Sequence, residues 1–245
     1  MRQVFLESPW IHPEEPERLR ALFTTYGQRK SVKAGTALPH GTHGAYVGLL
    51  LKGLGAFRFT DAGGRSHIFA VILPGRVFGD LDALTRSRLN LQGLVIRNSE
   101  VALLTRSRWE DLIDADPGLL KLYTKHAIAK QEAHMEGMIA NFTMSLPARL
   151  RALLRSLISS CYPVKPDDWN PLPVKLTVTE MSEVVAANRS SVSLQLSAWI
   201  DEGLIRRDGR MLIVHGKLLT DIYDWQTGVA PDDPAVSDPP LFLED

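Results

Sequence analysis

Residues 175–205 read KLTVTEMSEVVAANRSSVSLQLSAWIDEGLI, and this stretch decides the fold of the C-terminal part of the chain. Thr177 and Glu180 have the spacing of a capping box, in which each side chain accepts a hydrogen bond from the other residue's backbone N–H, so a helix is predicted to begin there. The small residues 186–188 predict a tight corner, and Asn188 is predicted to cap a second helix. The apolar residues of the two helices supply a shared buried face: Met181, Val184, Val185, Val192, Leu196, Trp199 and Ile200.

The next residues, 204–214, read LIRRDGRMLIV and predict a β-hairpin, because Asp-Gly between two apolar runs is the strongest short-range hairpin signal. Two short helices joined by a tight turn form a helix-turn-helix, whose second helix can lie in the DNA major groove, and the hairpin would be its wing. Any packed pair of helices gives the first part of this pattern. The capping box, corner, helix and hairpin in this order favour DNA binding. In the wing, Arg206, Arg207 and Arg210 are predicted to contact phosphates.

Composition narrows the class of protein. The 28 Lys and Arg residues match 28 Asp and Glu residues, which argues against a non-specific nucleic-acid coat protein with its large positive excess. The single cysteine, Cys161, excludes an intrachain disulfide and any multi-cysteine metal or iron–sulfur site within one chain.

The longest apolar runs are strand length and no signal-peptide pattern occurs, so we expect a cytoplasmic protein without a membrane partner. No nucleophile–base arrangement, phosphate-binding loop or paired-metal spacing occurs, and we expect no enzymatic activity.

The N-terminal part of the chain has a different sequence pattern. Residues 13–27 predict a short helix, and from about 28 to 104 short β-rich runs alternate with glycines, which predicts an all-β sandwich or barrel. Residues 61–64, Asp-Ala-Gly-Gly, predict the turn of a hairpin. Further along, residues 148–161 predict an amphipathic helix with its arginines off the apolar face, and the proline- and aspartate-rich residues 162–173 predict a loop.

A long helix is predicted from Pro117 to about Met144, because no proline interrupts this stretch and its apolar residues recur at helical spacing. At roughly 27 residues, or about 40 Å, it is too long for one small β domain to cover. We therefore predict that it packs on its twin in a homodimer, with a helix that only caps its own β domain as the alternative. The predicted apolar stripe contains Leu120, Tyr123, Ala127, Met135, Met138, Ile139 and Phe142.

Together these features resemble the catabolite-activator/FNR (Crp/Fnr) superfamily of bacterial transcription regulators, over about residues 12–224. Residues 117–149 align without gaps with the family's dimerisation helix, residues 72–81 are similar to a Pro-Gly and Gly-Glu segment of its β-roll, and residues 202–214 resemble the end of its recognition helix and the wing. The resemblance implies an α+β chain with an N-terminal β-roll (a double-stranded β-helix, cyclic-nucleotide-binding-like), a long dimerisation α-helix and a C-terminal winged helix-turn-helix. The implied boundaries are 1–107 for the β-roll effector domain, 108–145 for the dimerisation helix and 146–226 for the winged domain. Residues 227–245 are rich in proline and aspartate, which predicts a flexible tail.

The resemblance also assigns DNA-contacting residues. Arg189 matches the family's most consistent base-reading arginine, which suits a bidentate contact to guanine. Ser190 and Leu194 stand where cyclic-AMP-responsive members have a glutamate and a second arginine, so the operator of this protein should differ from theirs. Further base contacts are expected from Ser191, Ser193 and Gln195, and contacts to the DNA backbone from Thr177, Thr179 and Asn188.

In nucleotide-binding relatives a glutamate of the β-roll holds the ribose, and an Arg-Ser or Arg-Thr pair holds the phosphate. Asp80, with Asp82 as the alternative, stands near the glutamate position, and the Arg-Ser pair falls on Leu89-Asn90 or Asn90-Leu91, which offer no cation. Arg86 and Arg88 either substitute for it or belong to a solvated loop. On the long helix, the residues that meet the purine in cyclic-AMP-binding members match His134 and Met135, and Lys130 is a further candidate. We therefore expect an unidentified small-molecule effector rather than ordinary cyclic AMP.

The histidines leave one alternative open. Some family members bind haem through histidines, and here His126 and His134 lie on one face of the long helix while His40, His43 and His67 lie in the predicted β-roll. The expected partners are double-stranded DNA, a second copy of the chain and RNA polymerase, on a pseudo-palindromic site that presents two major grooves about 34 Å apart. The alternatives are a haem-based gas or redox sensor of the same family, and a ligand- or partner-binding module whose helix-turn-helix only packs.

Overall fold

The computed structural model describes residues 8–38, 46–81, 92–209, 211–220 and 222. The N-terminal part of these residues contains α1 (Glu17–Tyr26), β1 (Gln28–Val32), β2 (Tyr46–Thr60), β3 (Ser66–Ile72), β4 (Val77–Phe78) and β5 (Gln92–Thr105). The helices α2 (Arg106–Asp114), α3 (Pro117–Thr143) and α4 (Leu146–Ser159) follow. The C-terminal part contains β6 (Trp169–Pro171), α5 (Val178–Val184), α6 (Arg189–Asp201), β7 (Ile205–Asp208), β8 (Met211–His215) and a 3₁₀ helix (Gly216–Leu219). This order of elements agrees with the predicted α+β fold class.

The N-terminal strands form one antiparallel sheet in the order β1-β5-β2-β3, with β4 paired to β2. β2 and β5 pair along most of their length, with register shifts near Gly53, and such irregularities bend a strand pair. Gly53 has a φ of +100°, and a Cβ there would lie 2.1 Å from Ser99 Oγ, so the bend requires glycine. The predicted hairpin turn is confirmed: the Asp61 carboxylate accepts hydrogen bonds from the N–H groups of Gly63 and Arg65.

Helix α3 confirms the predicted long helix. It contains 27 residues, begins with Pro117, and is capped by Asp116, whose carboxylate accepts hydrogen bonds from two backbone N–H groups of the first turn. The predicted stripe, however, is divided between two sides of the helix. Tyr123 is buried inside its own chain, whereas four other members are exposed: Leu120, Met135, Met138 and Phe142.

The apolar stripe is divided in this way because α3 turns several polar residues toward its own chain. The buried side of the helix includes four polar residues: His126, Lys130, His134 and Glu136. Gly137 lies beside them against an N-terminal strap, residues 8–16, where a Cβ would come within 2.5 Å of Trp10 Cδ1. The strap is held on both sides, because Trp10 N–H donates to Ala133 O at 3.2 Å and Val71 N–H donates to Trp10 O at 2.7 Å. A polar inner side therefore leaves an apolar side of the long helix facing outward.

The arginines of α4 lie off its apolar face, as predicted, but they are half-buried and hold other segments in place. Arg149 donates to Val185 O at 2.6 Å, which ties α4 to the end of α5. Arg155 donates to Leu219 O at 2.7 Å in the 3₁₀ helix. The guanidinium groups thus satisfy carbonyl groups at helix ends, where the backbone lacks its own partners.

The predicted loop over 162–173 is wrong in part, because β6 lies within it and pairs with β8. The buried Asn170 folds the loop back: its carbonyl oxygen accepts from Lys165 N–H at 2.8 Å and its amide nitrogen donates to Lys165 O at 2.9 Å. The predicted hairpin is confirmed and becomes a three-stranded sheet in the order β6-β8-β7.

The largest cluster of buried apolar side chains joins the two parts of the chain. It includes Leu54 and Val71 of the sheet together with Met181 and Val184 of α5 and Leu153 of α4. The C-terminal part from α4 onward, here called the winged unit, is therefore packed directly on the β-roll. Within the described part of the chain, no helix combines the length and hydropathy that a bilayer crossing requires.

Candidate DNA-binding surface and effector pocket

Helix α5 begins with the predicted capping box. Thr177 Oγ1 accepts from Glu180 N–H at 3.2 Å, and Glu180 Oε2 accepts from Thr177 N–H at 2.7 Å. Two of the N–H groups that a helix start leaves without partners are thereby satisfied. Thr177 and Thr179, at the start of the same helix, are both exposed on the surface of the winged unit.

The corner between α5 and α6 contains a residue in the left-handed region although it has no glycine. Ala186 adopts a φ of +49°, in the left-handed region, where alanine's small side chain limits the steric cost. Ala187 N–H donates to Ser182 O at 3.0 Å and closes the turn. Asn188 occupies the N-cap position of α6 as predicted, but among the described residues its side chain makes no capping hydrogen bond. That part of the prediction is wrong, and the exposed Asn188 amide is not used by the helix.

Helix α6 is held down by its inner face. Val192, Leu196 and Trp199 are buried, as predicted, and Ile200 is half-buried. The opposite face lies on the surface of the protein: Arg189, Ser190, Ser193 and Leu194 are exposed, and Ser191 and Gln195 are half-buried.

The wing lies next to this face and carries two of its three predicted arginines within the described residues. Arg206 and Arg207 of β7 are exposed, and the Arg206 guanidinium lies over the Trp169 ring, 4.3 Å from its centroid. Such a contact orients a cation without neutralising it. Arg210 lies outside the described residues.

Two ion pairs fasten α5 to the β-roll. Arg97 of β5 donates to both carboxylate oxygens of Glu180, at 2.7 Å each, and Arg58 of β2 donates to Glu183 at 2.7 Å. Burial alone would raise the pKa of Glu180, but the hydrogen bonds from Arg97 and from Thr177 N–H lower it below its ordinary value. Sequence reasoning missed both arginines, since each lies more than 80 residues from its partner.

The predicted effector residues Asp80, Lys130 and His134 are brought together beneath α3. Lys130 is fully buried, and its Nζ lies 2.7 Å from Asp80 Oδ2 and also contacts Glu15. Burial alone would lower the pKa of Lys130, but the charges of Asp80 and Glu15 raise it. The ammonium group therefore stays charged, and it already has the carboxylate that the family resemblance assigns to a ribose.

Histidines complete this buried cluster. His126 Nε2 lies 3.1 Å from Glu15 Oε1, and His12 Nε2 lies 2.8 Å from His134 Nε2. Burial, together with the charge of Lys130, lowers the pKa of His134 to about 4. Only one of the two histidines in the His12–His134 contact can donate the shared hydrogen, so the ring that accepts it must be neutral, and the contact is lost when both rings are protonated.

The remaining predicted residues do not join the cluster. Met135 is exposed, on the side of α3 that faces away from Asp80. His67 pairs with Asp61 at 2.9 Å in the hairpin turn. Among the described residues there is no group of three or more side chains that could hold a metal ion. Asp82, Arg86, Arg88, Leu89, Asn90, Leu91, His40 and His43 lie outside the described residues, as does the predicted tail 227–245.

A cavity of about 290 Å³ lies where the β2–β3 hairpin, α3 and the corner after α5 meet. Its walls are mainly apolar and aromatic, and they contain one carboxylate, Glu183, and no lysine or arginine among the residues described. Two wall residues, Trp10 and Asn141, each keep one buried polar atom without a partner in the described part of the chain, Nε1 and Oδ1 respectively. The strap residue Trp10 also lines the cavity, and the walls from the three elements include Phe59, Phe69, Met138, Asn141 and Ala186.

Comparison with known proteins agrees with this geometry. Residues 148–222 match the model of the Crp-like helix-turn-helix domain. The cyclic AMP receptor protein of Thermus thermophilus is 24% identical over 201 residues, which cover 81% of this chain and 88% of that protein. The cAMP-activated global transcriptional regulator CRP of Pasteurella multocida is 21% identical over 169 residues, or 68% of this chain and 79% of that protein. The chain is thus similar to Crp-type transcription regulators over most of its length, and residues 148–222 match their helix-turn-helix domain.

The Crp/Fnr fold extends over most of the chain. The solved structure of FixK2 from Bradyrhizobium japonicum superposes with a TM-score of 0.69 at 18% sequence identity, over 83% of this chain and 99% of that one. The cyclic-nucleotide-binding-like β-roll and the helix-turn-helix domain are therefore both present in the arrangement that is typical of Crp/Fnr proteins.

The buried ion pair gives a stability prediction. We expect Lys130→Met to lower the free energy of unfolding by about 3–5 kcal/mol, because Asp80 and Glu15 would keep buried carboxylates without a cation. The control is Lys52→Met, which removes the exposed pair between Lys52 Nζ and Glu100 Oε1 (3.1 Å) and should change stability by less than about 1 kcal/mol. Chemical denaturation measures both. Equal small effects would show that the buried pair does not hold α3.

The buried histidines give a pH prediction. The pKa of His134 is about 4 in the folded chain against 6.5 when unperturbed, so below pH 6.5 the unfolded chain binds a proton that the folded chain does not. The His134 contribution to stability is therefore fully present above pH 6.5 and is lost as the pH falls toward 4, by about 2 kcal/mol between pH 7 and 5. Denaturation midpoints of the wild type and His134→Gln across this range measure it, and parallel curves would contradict the assignment.

Proposed function

We propose that this protein is an effector-responsive, sequence-specific DNA-binding regulator of transcription that acts as a homodimer on a pseudo-palindromic site. The observation that carries the proposal is the outer face of α6, where Arg189, Ser190 and Ser193 are exposed while Val192 and Leu196 anchor the helix from beneath. A helix anchored in this way beside a wing is the arrangement that enters a DNA major groove.

The roles of individual residues follow from their chemistry. Arg189 suits the O6 and N7 acceptors of a guanine, with Ser190, Ser191, Ser193 and Gln195 as shorter hydrogen-bonding neighbours. Arg206 and Arg207 suit phosphates on the wing side, and Arg210 is proposed with them. On the other side, Thr177 still has its hydroxyl proton to donate, and Thr179 and Asn188 lie near it. These contacts would set the register of the helix on the duplex.

The outward side of α3 supports a homodimer. Leu120, Ile128, Met135, Met138 and Phe142 are exposed at spacings of seven or eight, three and four residues, as in the seam between two packed helices. A second copy related by a two-fold axis would cover the same residues on both helices, and it would pair two recognition helices with two half-sites. In this division, residues 108–145 form the dimerisation element between the β-roll and the winged domain. A chain that remains a monomer both free and on DNA would contradict this part.

The cavity supports an effector other than ordinary cyclic AMP. Asp80 is already paired with Lys130, so the buried cluster does not fit a ribose and a cyclic phosphate. The cavity touches the β-roll, the dimer helix and Ala186 in the corner just before α6, so an occupant would contact every element whose relative position sets the recognition helices. Its mainly apolar walls favour a small, mostly apolar ligand, since the one carboxylate, Glu183, is already paired with Arg58. RNA polymerase is the proposed further partner. Operator affinity that no small molecule changes would overturn the effector part.

Substitution of the base-reading arginine tests the proposal. We expect a binding site to emerge by selection from random-sequence duplexes, and Arg189→Ala to weaken binding to it by about 1–3 kcal/mol. Arg29→Ala is the matched control, because Arg29 is an exposed arginine on β1, in the β-roll. Fluorescence anisotropy at fixed salt measures both affinities, since salt alone changes them strongly. A pool without any enriched sequence, or equal affinities for the two variants, would refute specific DNA recognition.

A further inference from the structure

One side chain on the outer face of α6 has no hydrogen-bonding group. Leu194 is 73% exposed, and among the described residues of the winged unit it is the only large apolar side chain with that degree of exposure. Its neighbours on the surface, Ser190, Ser193 and Ser197, are short and polar. Single exposed leucines are common on protein surfaces, so what distinguishes Leu194 is its position on the face of α6 that is proposed to meet DNA.

The geometry of the helix places Leu194 at the centre of the face that would meet DNA. Successive residues of an α-helix are rotated by about 100°, so Val192 and Leu196, two positions away on either side, lie on nearly the opposite side from Leu194. Both Val192 and Leu196 are buried. Ser190 and Ser197 lie one turn before and after Leu194, and their small size lets the helix approach the groove floor closely.

The major groove offers one apolar group to such a side chain. Base edges there present hydrogen-bond donors and acceptors, and the C5-methyl group of thymine is the apolar exception. A leucine side chain that covers a phosphate or a polar base edge removes water from it and offers no hydrogen bond in return, which costs free energy. A methyl group at C5 of a pyrimidine comes either from thymine or from 5-methylcytosine, and both present the same surface.

We propose that Leu194 is a specificity-determining residue that packs on the C5-methyl group of one pyrimidine in each half-site. The inference rests on the proposed function, and it deepens that function by naming the chemistry that the base must carry. The regulator thereby discriminates thymine from unmethylated cytosine at this position without a hydrogen bond. It also makes binding sensitive to cytosine methylation at the same place.

Single-group changes in the DNA test the proposal. In the selected site, each thymine is replaced by deoxyuridine in turn, which removes the methyl group and keeps every hydrogen-bonding atom. We expect one position per half-site at which the wild type loses affinity about fourfold, the value for one buried methyl group. At that position, cytosine should bind more weakly than 5-methylcytosine. Leu194→Ala should respond to neither change.

Matched variants separate the outcomes. Leu194→Met keeps an apolar side chain of similar size and should keep the sensitivity to deoxyuridine, and Ser197→Ala should keep it as well. Wild-type affinity that is unchanged by deoxyuridine at every position would overturn the inference, as would a loss that persists in Leu194→Ala. In both cases specific DNA binding itself would remain. A selection that enriches no sequence would instead overturn the proposed function, and this inference with it.

Discussion

The ion pairs of Lys130 with Asp80 and Glu15 are the constraint on which the rest of the structure depends. A fully buried ammonium group is tolerated only where carboxylates meet it, and here they come from the turn after β4 and from the N-terminal strap. This requirement fixes the rotation of α3 about its own axis. Lys130, His126 and His134 face inward, and the large apolar side chains on the other side of the helix are left exposed.

The end of α3 also contacts the unit that carries the candidate DNA-binding surface. Asn141, near the end of α3, donates to Val184 O at 3.1 Å, and the ion pairs of Arg97 and Arg58 hold α5 from the side of the β-roll. A continuous set of contacts therefore runs from the buried cluster through α3 to α5, the helix that precedes α6. A cavity at the junction of these elements lies where a ligand would alter that set of contacts with few new ones.

The helix-turn-helix could be predicted from the sequence because its signals are local. The capping box, the small corner and the Asp-Gly turn each act over four residues or fewer, and the structure contains all three. The long helix was predictable for the same reason, since Pro117 and the absence of later prolines set its limits. Only the side chain of Asn188 behaves differently from the local rule, because the backbone at the corner closes without it.

The rest of the site depends on residues that are far apart in the chain. Lys130 lies 50 residues from Asp80, and Arg97 lies 83 residues from Glu180, so neither pairing leaves a pattern in the sequence. A lysine and two histidines on one side of a helix are typical of a solvated face. The sequence of α3 therefore predicts a single buried apolar stripe on another side, whereas these three polar residues are buried. Strand β6 is only three residues long and forms by pairing with β8. Because it lies in a proline-rich segment, its sequence alone predicts a loop.

The central claim is that the outer face of α6 reads guanine edges in two successive major grooves. Interference by methylation of guanine N7 tests this most directly, because N7 lies in the major groove and is one of the two acceptors that Arg189 would use. On the selected site, we expect methylation of one guanine in each half-site to prevent binding, at positions about one helical turn apart. Binding that tolerates methylation at every guanine N7 would contradict the account.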